Sequence, residues 1–269
     1  MPRTLRIALY VYAALTLNTA LGFAFQLDWA TRLWPWTDDR LSYIFIGAVL
    51  AALAASFAAW AYTNEPAGGQ AIALNSCLVT LAGAIHFLRV YRRNDDSAVL
   101  AAATVFALMA ITYGVIAAWT LRYAFRDREL APALVRWSFA GFALLMTVGG
   151  VLLITDNRSF FPWPLNSDSA VIFGWVFLGD ALFFLHGVLR PFRNNARGQL
   201  LNFLAFDLVL IVPFARHFSD VEGDQLIGLV LYSTLIVYSG ALAVYYLFVD
   251  ARMRLVLWPQ VGPRPTPAR

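Results

Sequence analysis

The chain has 269 residues, of which 60% are hydrophobic and 13% are charged, and its formal net charge is +4. So little polar side chain cannot cover a soluble domain of this length, so the composition excludes a soluble globular protein. The small positive charge lies in the predicted loops and indicates no nucleic-acid partner.

Eight apolar stretches are long enough to cross a hydrocarbon core of ~30 Å at ~1.5 Å per residue. In chain order they span about 5–25, 42–62, 70–90, 98–121, 133–154, 170–189, 199–218 and 226–249. They lack the period-two alternation of barrel strands, so we predict helices, which satisfy their own backbone in lipid. The first follows Arg3 and Arg6 as a signal peptide would, but it is long and has no small-residue cleavage site. We therefore expect a retained span.

Two loops carry clusters of aromatic residues and proline. Trp34, Pro35 and Trp36 lie between the first and second stretches, and residues 160–164 read FFPWP between the fifth and sixth. We expect an interfacial belt, with the rings at headgroup level and proline ending the helix. The alternative is a lid or docking surface on the outer face.

The second half of the sequence repeats the first. At a spacing of 127, six residues return with the same identity: Gly22, Pro35, Trp36, Ser42, Gly47 and Ala54 recur as Gly149, Pro162, Trp163, Ser169, Gly174 and Ala181. His86 recurs as His217 at a spacing of 131, and Tyr113 as Tyr238 at 125. The spacing changes only in loops, where insertions are tolerated.

We therefore predict an all-α integral membrane protein with eight transmembrane helices in two four-helix repeats. The first repeat covers 1–125, the second covers 126–252, and a Pro-rich cytoplasmic tail covers 253–269. Because each repeat has an even number of spans, the two have the same topology and are parallel.

The arginines predict the orientation. With the N-terminus inside, thirteen of the twenty arginines lie in inner segments and seven in outer ones, although Arg89, Arg92 and Arg93 oppose the rule. We expect a multi-pass protein with both termini cytoplasmic. The absence of lysine and the abundance of alanine suggest a GC-rich bacterial genome, and hence the bacterial cytoplasmic (inner) membrane.

Two carboxylates lie inside the predicted spans. Asp180 is halfway along the sixth and Asp207 is a third to half of the way along the seventh, and neither has an arginine at its own depth. A charge at the bilayer centre costs about 3 kcal/mol even on lenient scales, so each should be protonated, hydrogen-bonded or facing a hydrated interior. The short loop after the sixth span makes the sixth and seventh helices neighbours, and we expect the two aspartates to approach one another.

These polar residues occur in one half only. The first-half counterparts of Asp180, His186 and Asp207 are apolar or uncharged: Leu53, Ala59 and Ser76. One interpretation is a ligand or proton site formed by Asp180, Asp207 and His186, with Pro213 interrupting the seventh helix nearby. The other is a carboxylate that bonds a Tyr, Ser or Asn of a neighbouring helix and holds the bundle together.

His86 and His217 occupy equivalent positions near the outer ends of the third and seventh spans. A pseudo-twofold axis could place the two imidazoles across a shared site, as bis-histidine haem b requires, with Arg89 and Arg216 near the propionates. The alternative is that each histidine bonds a loop.

Other chemistry lacks its motif. The sequence has no Walker loop, paired CxxC, HExxH or serine elbow. Cys77 is the single cysteine and lies in an apolar run, so we expect a small core residue.

The PWPL stretch from Pro162 to Leu165, followed by an apolar helix beginning near Ser169 with Gly174 and Gly179, resembles the loop-helix unit of uncharacterised multi-pass bacterial membrane proteins. The resemblance covers about thirty residues and implies no activity. It supports a repeated loop-helix unit.

Three functions remain in view. The first is a non-catalytic membrane protein, either an accessory subunit that binds other membrane proteins or a binder of a lipid or hydrophobic ligand, with no cofactor required by the sequence. The thin supply of intramembrane polar groups favours it. The second is a proton-coupled carrier of a small or amphipathic solute that uses Asp180 and Asp207. A haem protein or a lipid-modifying enzyme is third.

Overall fold

The computed structural model describes residues 1–255, which are helical and contain no strand. Its eight long helices are α1 Arg3–Ala24, α2 Arg40–Thr63, α3 Gln70–Asn94, α4 Ser97–Thr120, α5 Ala133–Ile154, α6 Ser167–Leu189, α7 Arg193–His217 and α8 Asp224–Val244. A π-helical turn, Tyr245–Val249, continues the last. All eight are long and apolar enough to span a membrane, which confirms the predicted helical segments.

Side chains at the loop ends fix where several helices begin and end. Asp39, Asp96 and Asn166 precede α2, α4 and α6, and each accepts a hydrogen bond from the N–H two residues further on, at 2.8, 2.8 and 2.9 Å. Asn64 and Asp95 end α2 and α3 in the left-handed conformation, with φ of 53° and 51°. The chain can therefore reverse direction in short loops.

The seventh helix differs from its prediction in two ways. It begins at Arg193, six residues before the predicted start at 199, because Asn195 and Gln199 are buried and hydrogen-bonded inside the protein. It also continues through Pro213 to His217, so the expectation that proline interrupts it is wrong. Proline removes one backbone donor, and the helix is otherwise held by its neighbours.

The helices form two rows. In one row α1, α2, α7 and α8 pack side by side in that order, and in the other α4, α3, α6 and α5 do so. Each row therefore joins one helical hairpin from the first half of the chain to one from the second.

Hydrogen bonds join the rows at both edges. The Tyr12 hydroxyl on α1 bonds the Tyr113 hydroxyl on α4. At the other edge Ser138 on α5 and Tyr238 on α8 bond at 2.7 Å. The rows thus face one another, with their inner members α2, α3, α6 and α7 in the middle.

The expected close packing of the sixth and seventh helices is wrong for most of their length. They meet at the end of the bundle where the loop between α6 and α7 lies, called the inner end here. There the Asn195 amide bonds His186 at 3.2 Å and Gln199 lies against Gly187. Elsewhere α6 packs on α3 and α5, while α7 packs on α2 and α8. A short loop holds helix ends together, but it does not decide which helices pack along their length.

The helices at the edges of the two rows, α1, α8, α4 and α5, present apolar side chains to the surroundings. Ile111 on α4 is 66% exposed and Trp137 on α5 is 76% exposed. Within the most apolar 18-residue segment of each helix, only 22% of α4 and 28% of α5 is buried, whereas 61% of the corresponding segment is buried in α3 and in α6. A continuous surface of this kind fits hydrocarbon and not water.

The chain after α8 folds back on the bundle at residues 253–254. The Arg197 guanidinium donates to the carbonyls of Met253 and Arg254, each at 2.8 Å, and Met253 is buried. The start of the predicted tail is therefore packed against α7. The prolines that suggested an extended tail, at 259, 263, 265 and 267, lie outside the described residues.

A glycine sets the close approach of α5 and α6. A Cβ added to Gly174 would lie 2.8 Å from the carbonyl oxygen of Gly150, whereas one added to Gly141 on α5 would meet nothing within 4 Å. We expect Gly174→Ala to destabilise the folded protein by about 1–3 kcal/mol, since the two helices must separate. Thermal unfolding in detergent should show a lower midpoint for Gly174→Ala and none of that loss for Gly141→Ala. Equal effects would contradict the close packing.

Candidate functional site: a cavity between the two rows

A cavity of about 210 Å³ lies between the rows. Within the described residues, every long helix except α1 contributes to its lining, together with Trp34 from the first outer loop. The wall is mostly aromatic and aliphatic: Phe45, Phe106, Phe142, Phe173, Phe177, Phe203, Phe206, Ile172, Val176 and Leu235 are among its members. It therefore offers an apolar chamber in the middle of the bundle.

Asp180 faces this cavity from α6. Its Oδ1 accepts a hydrogen bond from the Asn75 amide on α3 at 2.9 Å. The approach of α3 depends on Gly179, since a Cβ there would collide with the side chains of Asn75 and Val79. Asp180 thus links the two inner helices of its row and remains in contact with the cavity.

Asp207 faces the same cavity from α7, in the opposite row. Its Oδ2 accepts a hydrogen bond from the Ser239 hydroxyl on α8 at 2.8 Å, and the residue is 5% exposed. Gly240 lies beside it, with 3.4 Å between Oδ2 and a Cβ built on the glycine. The structure therefore brings both predicted aspartates to one cavity, on facing walls.

Both interpretations of the aspartates describe part of this arrangement. Each carboxylate bonds an Asn or Ser of a neighbouring helix, as the structural interpretation expected. Each also lines the cavity, as the pocket interpretation expected. Among the described residues, no hydrogen bond joins the two aspartates to one another.

Among the described residues that line the cavity, one has a buried hydroxyl without a hydrogen-bond partner. The hydroxyl of Tyr232 on α8 is buried and forms no hydrogen bond with the described residues. Buried polar groups are almost always hydrogen-bonded, so such a hydroxyl is a place where a bound molecule or water would complete the network.

The two halves bond one another at the opposite end of the bundle, called the outer end here, which holds the two loops with aromatic clusters. The Trp34 indole N–H lies 2.8 Å from Asp38 Oδ2 and 3.3 Å from the Ser169 hydroxyl at the start of α6. The Trp163 indole N–H donates to the Ser42 hydroxyl at the start of α2, at 2.9 Å. Each outer loop therefore bonds the second helix of the other half, and Trp34 lies directly over the cavity.

The expected interfacial belt is wrong for the second cluster. Phe161 is 0% exposed and Trp163 is 1% exposed, so neither ring lies at a headgroup surface. Phe161 and Trp163 stack edge to face at 4.4 Å, and Trp163 also meets Phe214 at 5.7 Å. The cluster is a core element of the outer end.

His186, the third predicted site residue, does not line the cavity. It lies buried at the inner end, where Nε2 is 3.2 Å from Gln70 Oε1 and Nδ1 is 3.2 Å from the Asn195 amide nitrogen. One tautomer satisfies both bonds, with Nε2 donating and Nδ1 accepting. His186 therefore belongs to a hydrogen-bonded cluster that joins α3, α6 and α7.

The structure gives His86 and His217 separate partners at the outer end. His86 Nε2 is 3.1 Å from Asp168 Oδ1, and His217 Nε2 is 3.1 Å from the carbonyl oxygen of Pro162. Neither lines the central cavity, and no group of three or more His, Cys, Asp or Glu side chains within residues 1–255 could hold a metal ion.

Sequence reasoning missed the uncharged members of the site. Asn75, Asn202, Tyr232 and Ser239 line the cavity, and Asn202 donates to the Ser56 hydroxyl at 3.0 Å. Asparagine in the middle of an apolar helix is costly without a partner, so Asn75 and Asn202 could have been identified on that ground.

Comparison of the chain with protein-family models, with curated proteins and with solved structures found no match. We therefore infer the function from the geometry of the cavity.

Proposed function

We propose that this protein is a non-catalytic membrane protein that binds one small apolar or amphipathic molecule in the cavity between its two rows of helices. The observation that carries the proposal is the cavity itself, about 210 Å³ of space among aromatic and aliphatic side chains. A dry apolar cavity of roughly 150 Å³ is enough to bind benzene. The space here suits a single ring with a compact substituent.

The polar groups of the cavity support binding over chemistry. Asp180 and Asp207 each bond a neutral partner, and the rest of the wall is mostly aromatic and aliphatic. A few polar groups in an otherwise apolar wall are typical of ligand sites, where they orient the bound molecule. An accessory role beside other membrane-protein subunits is compatible with the same site.

A second candidate is a proton-coupled carrier of the same kind of molecule. Its support is that both aspartates face one cavity from opposite rows. Movement of one row relative to the other would change the surroundings of both carboxylates together.

We also propose that the protein is a multi-pass protein of the bacterial cytoplasmic membrane, with parallel repeats at 1–125 and 126–252. Support for the repeat comes from packing, because α1–α2, α3–α4 and α2–α7 contacts have counterparts in α5–α6, α7–α8 and α6–α3. Tyr113 and Tyr238, which match at a spacing of 125, also bond the first helix of their own halves. The arginine distribution supports a cytoplasmic position for both termini.

Native mass spectrometry of protein extracted in mild detergent tests the binding role. We expect a small molecule to remain bound to the wild type and to be lost in Ser76→Phe, because Ser76 lines the cavity and a phenyl group there fills it. Ile85→Phe is the matched control on the same helix, since Ile85 is 46% exposed and lies outside the cavity.

Two results would count against the proposal. Wild-type protein without any bound molecule would remove its basis, and the same molecule bound to Ser76→Phe would place binding elsewhere. A protein partner at fixed stoichiometry would instead favour the accessory role.

A further inference from the structure

The ionisable side chains among the described residues that line the cavity are all acids. Asp180 and Asp207 are the carboxylates among the described residues that line it, and those residues include no arginine or histidine. The chain has no lysine. An anion in the cavity would therefore meet two acidic groups and no compensating cation.

The carboxylates keep acceptor capacity for a ligand. Among the described residues, the side-chain hydrogen bond from Asn75 occupies one oxygen of Asp180, and that from Ser239 occupies one oxygen of Asp207. A carboxylate has about four acceptor positions. An ionised carboxylate in a buried site is costly unless a positive group or further donors compensate it, so a purely apolar ligand would leave the ionised forms of Asp180 and Asp207 poorly satisfied.

The aromatic wall favours the same kind of ligand. Phe173, Phe177, Phe206 and Tyr232 line the same cavity as the two aspartates. Ring faces attract a cation, and desolvated pairs of this kind contribute up to about 2 kcal/mol. Carboxylates and aromatic rings together are the surroundings that bind organic ammonium groups.

We infer that the bound molecule is a lipophilic cation, an amine or quaternary ammonium group on a body about the size of one ring, held by Asp180 and Asp207. This inference rests on the proposed binding function and names the ligand class of that site. The buried Tyr232 hydroxyl supplies a further polar contact for it.

Binding of such a cation requires ionised carboxylates, so it competes with protons. The other titratable groups of the cavity are the phenols of Tyr113 on α4 and Tyr232 on α8, and α2, α3 and α5 contribute none. Affinity for the cation therefore falls as the pH falls, since protons then occupy the carboxylates.

The test uses three water-soluble probes of similar shape and different charge. They are benzyltrimethylammonium, which is positive, phenylmethanesulfonamide, which is neutral at pH 7, and phenylmethanesulfonate, which is negative. Calorimetric titration of the purified full chain in mild detergent at pH 7 should show the cation binding at least tenfold more tightly than the neutral probe. The anion should not bind.

Variants separate charge recognition from folding. In Asp180→Asn/Asp207→Asn, the amide oxygens can still accept from Asn75 and Ser239, so we expect an unchanged elution profile. Its affinity for the cation should fall at least tenfold, with little change for the neutral probe. Asp168→Asn is the control, because Asp168 lies at the outer end beside His86 and does not line the cavity.

The outcomes test the ligand class and the binding function separately. If the neutral probe binds as tightly as the cation, the ligand class is wrong and the binding function stands. If none of the probes binds the wild type, both are overturned. Cation affinity that is unchanged when the pH is lowered from 8 to about 3, below the ordinary pKa of an aspartate (~3.9), would also overturn the role of the aspartates.

Discussion

Trp163→Ala should destabilise the protein by about 3–5 kcal/mol, the range for removing a large aromatic side chain from a core. Trp163 is among the largest fully buried side chains, and its indole N–H bonds Ser42 of the other half. Its ring also packs on Phe161 and Phe214. The variant loses this packing and leaves the Ser42 hydroxyl without its indole donor, so the outer end of the bundle should open.

Trp137→Ala is the matched control, because Trp137 is 76% exposed on α5. Equilibrium unfolding by denaturant in detergent should show a large shift of the midpoint for Trp163→Ala and a small one for Trp137→Ala. Similar shifts for the two variants would show that the second outer loop is not part of the core.

Glu65→Ala should destabilise the inner end by about 2–4 kcal/mol, since hydrogen bonds to a charged group contribute about 1.5–3 kcal/mol each. Glu65 is 3% exposed, and its carboxylate accepts the backbone N–H of Arg126 and, at 3.2 Å, the amide of Asn194. It therefore ties the loop after α2 to the connection between the halves and to the start of α7. Its removal leaves both donors without that acceptor.

Glu129→Ala provides the comparison for Glu65→Ala. The Glu129 carboxylate pairs with Arg193, but its side chain is 66% exposed, and exposed ion pairs contribute at most about 1 kcal/mol. The two variants should therefore differ clearly in unfolding midpoint. A Glu65→Ala midpoint as high as that of Glu129→Ala would mean that the inner loops are held by other contacts.

The sequence predicted where the helices lie and did not predict how they pack. The fifth stretch, 133–154, coincides with α5, since apolar length is a strong indicator of a helix. α7 starts earlier than predicted, because hydropathy cannot recognise polar residues such as Asn195 that are buried by hydrogen bonding. The order of the helices in the two rows depends on which helix faces fit one another. The apolar content of each helix does not indicate that fit.

The sequence predicts the two carboxylates of the candidate site but does not predict which residues bond them. Asp180 and Asp207 could be identified because a carboxylate in an apolar helix is costly. Their partners Asn75 and Ser239 are uncharged, and no sequence spacing connects α6 with α3 or α7 with α8. His186 was grouped with the aspartates as another ionisable residue of the same half, whereas the structure places it in the cluster with Gln70.

An experimental density map of the protein in lipid nanodiscs, prepared without added ligand, tests the proposed binding cavity most directly. We expect two facing rows of helices and ordered non-protein density in the space between them, within reach of Asp180, Asp207 and the Tyr232 hydroxyl. Rows that close on one another, with side chains filling that space and the two aspartates bonded only to protein, would contradict it.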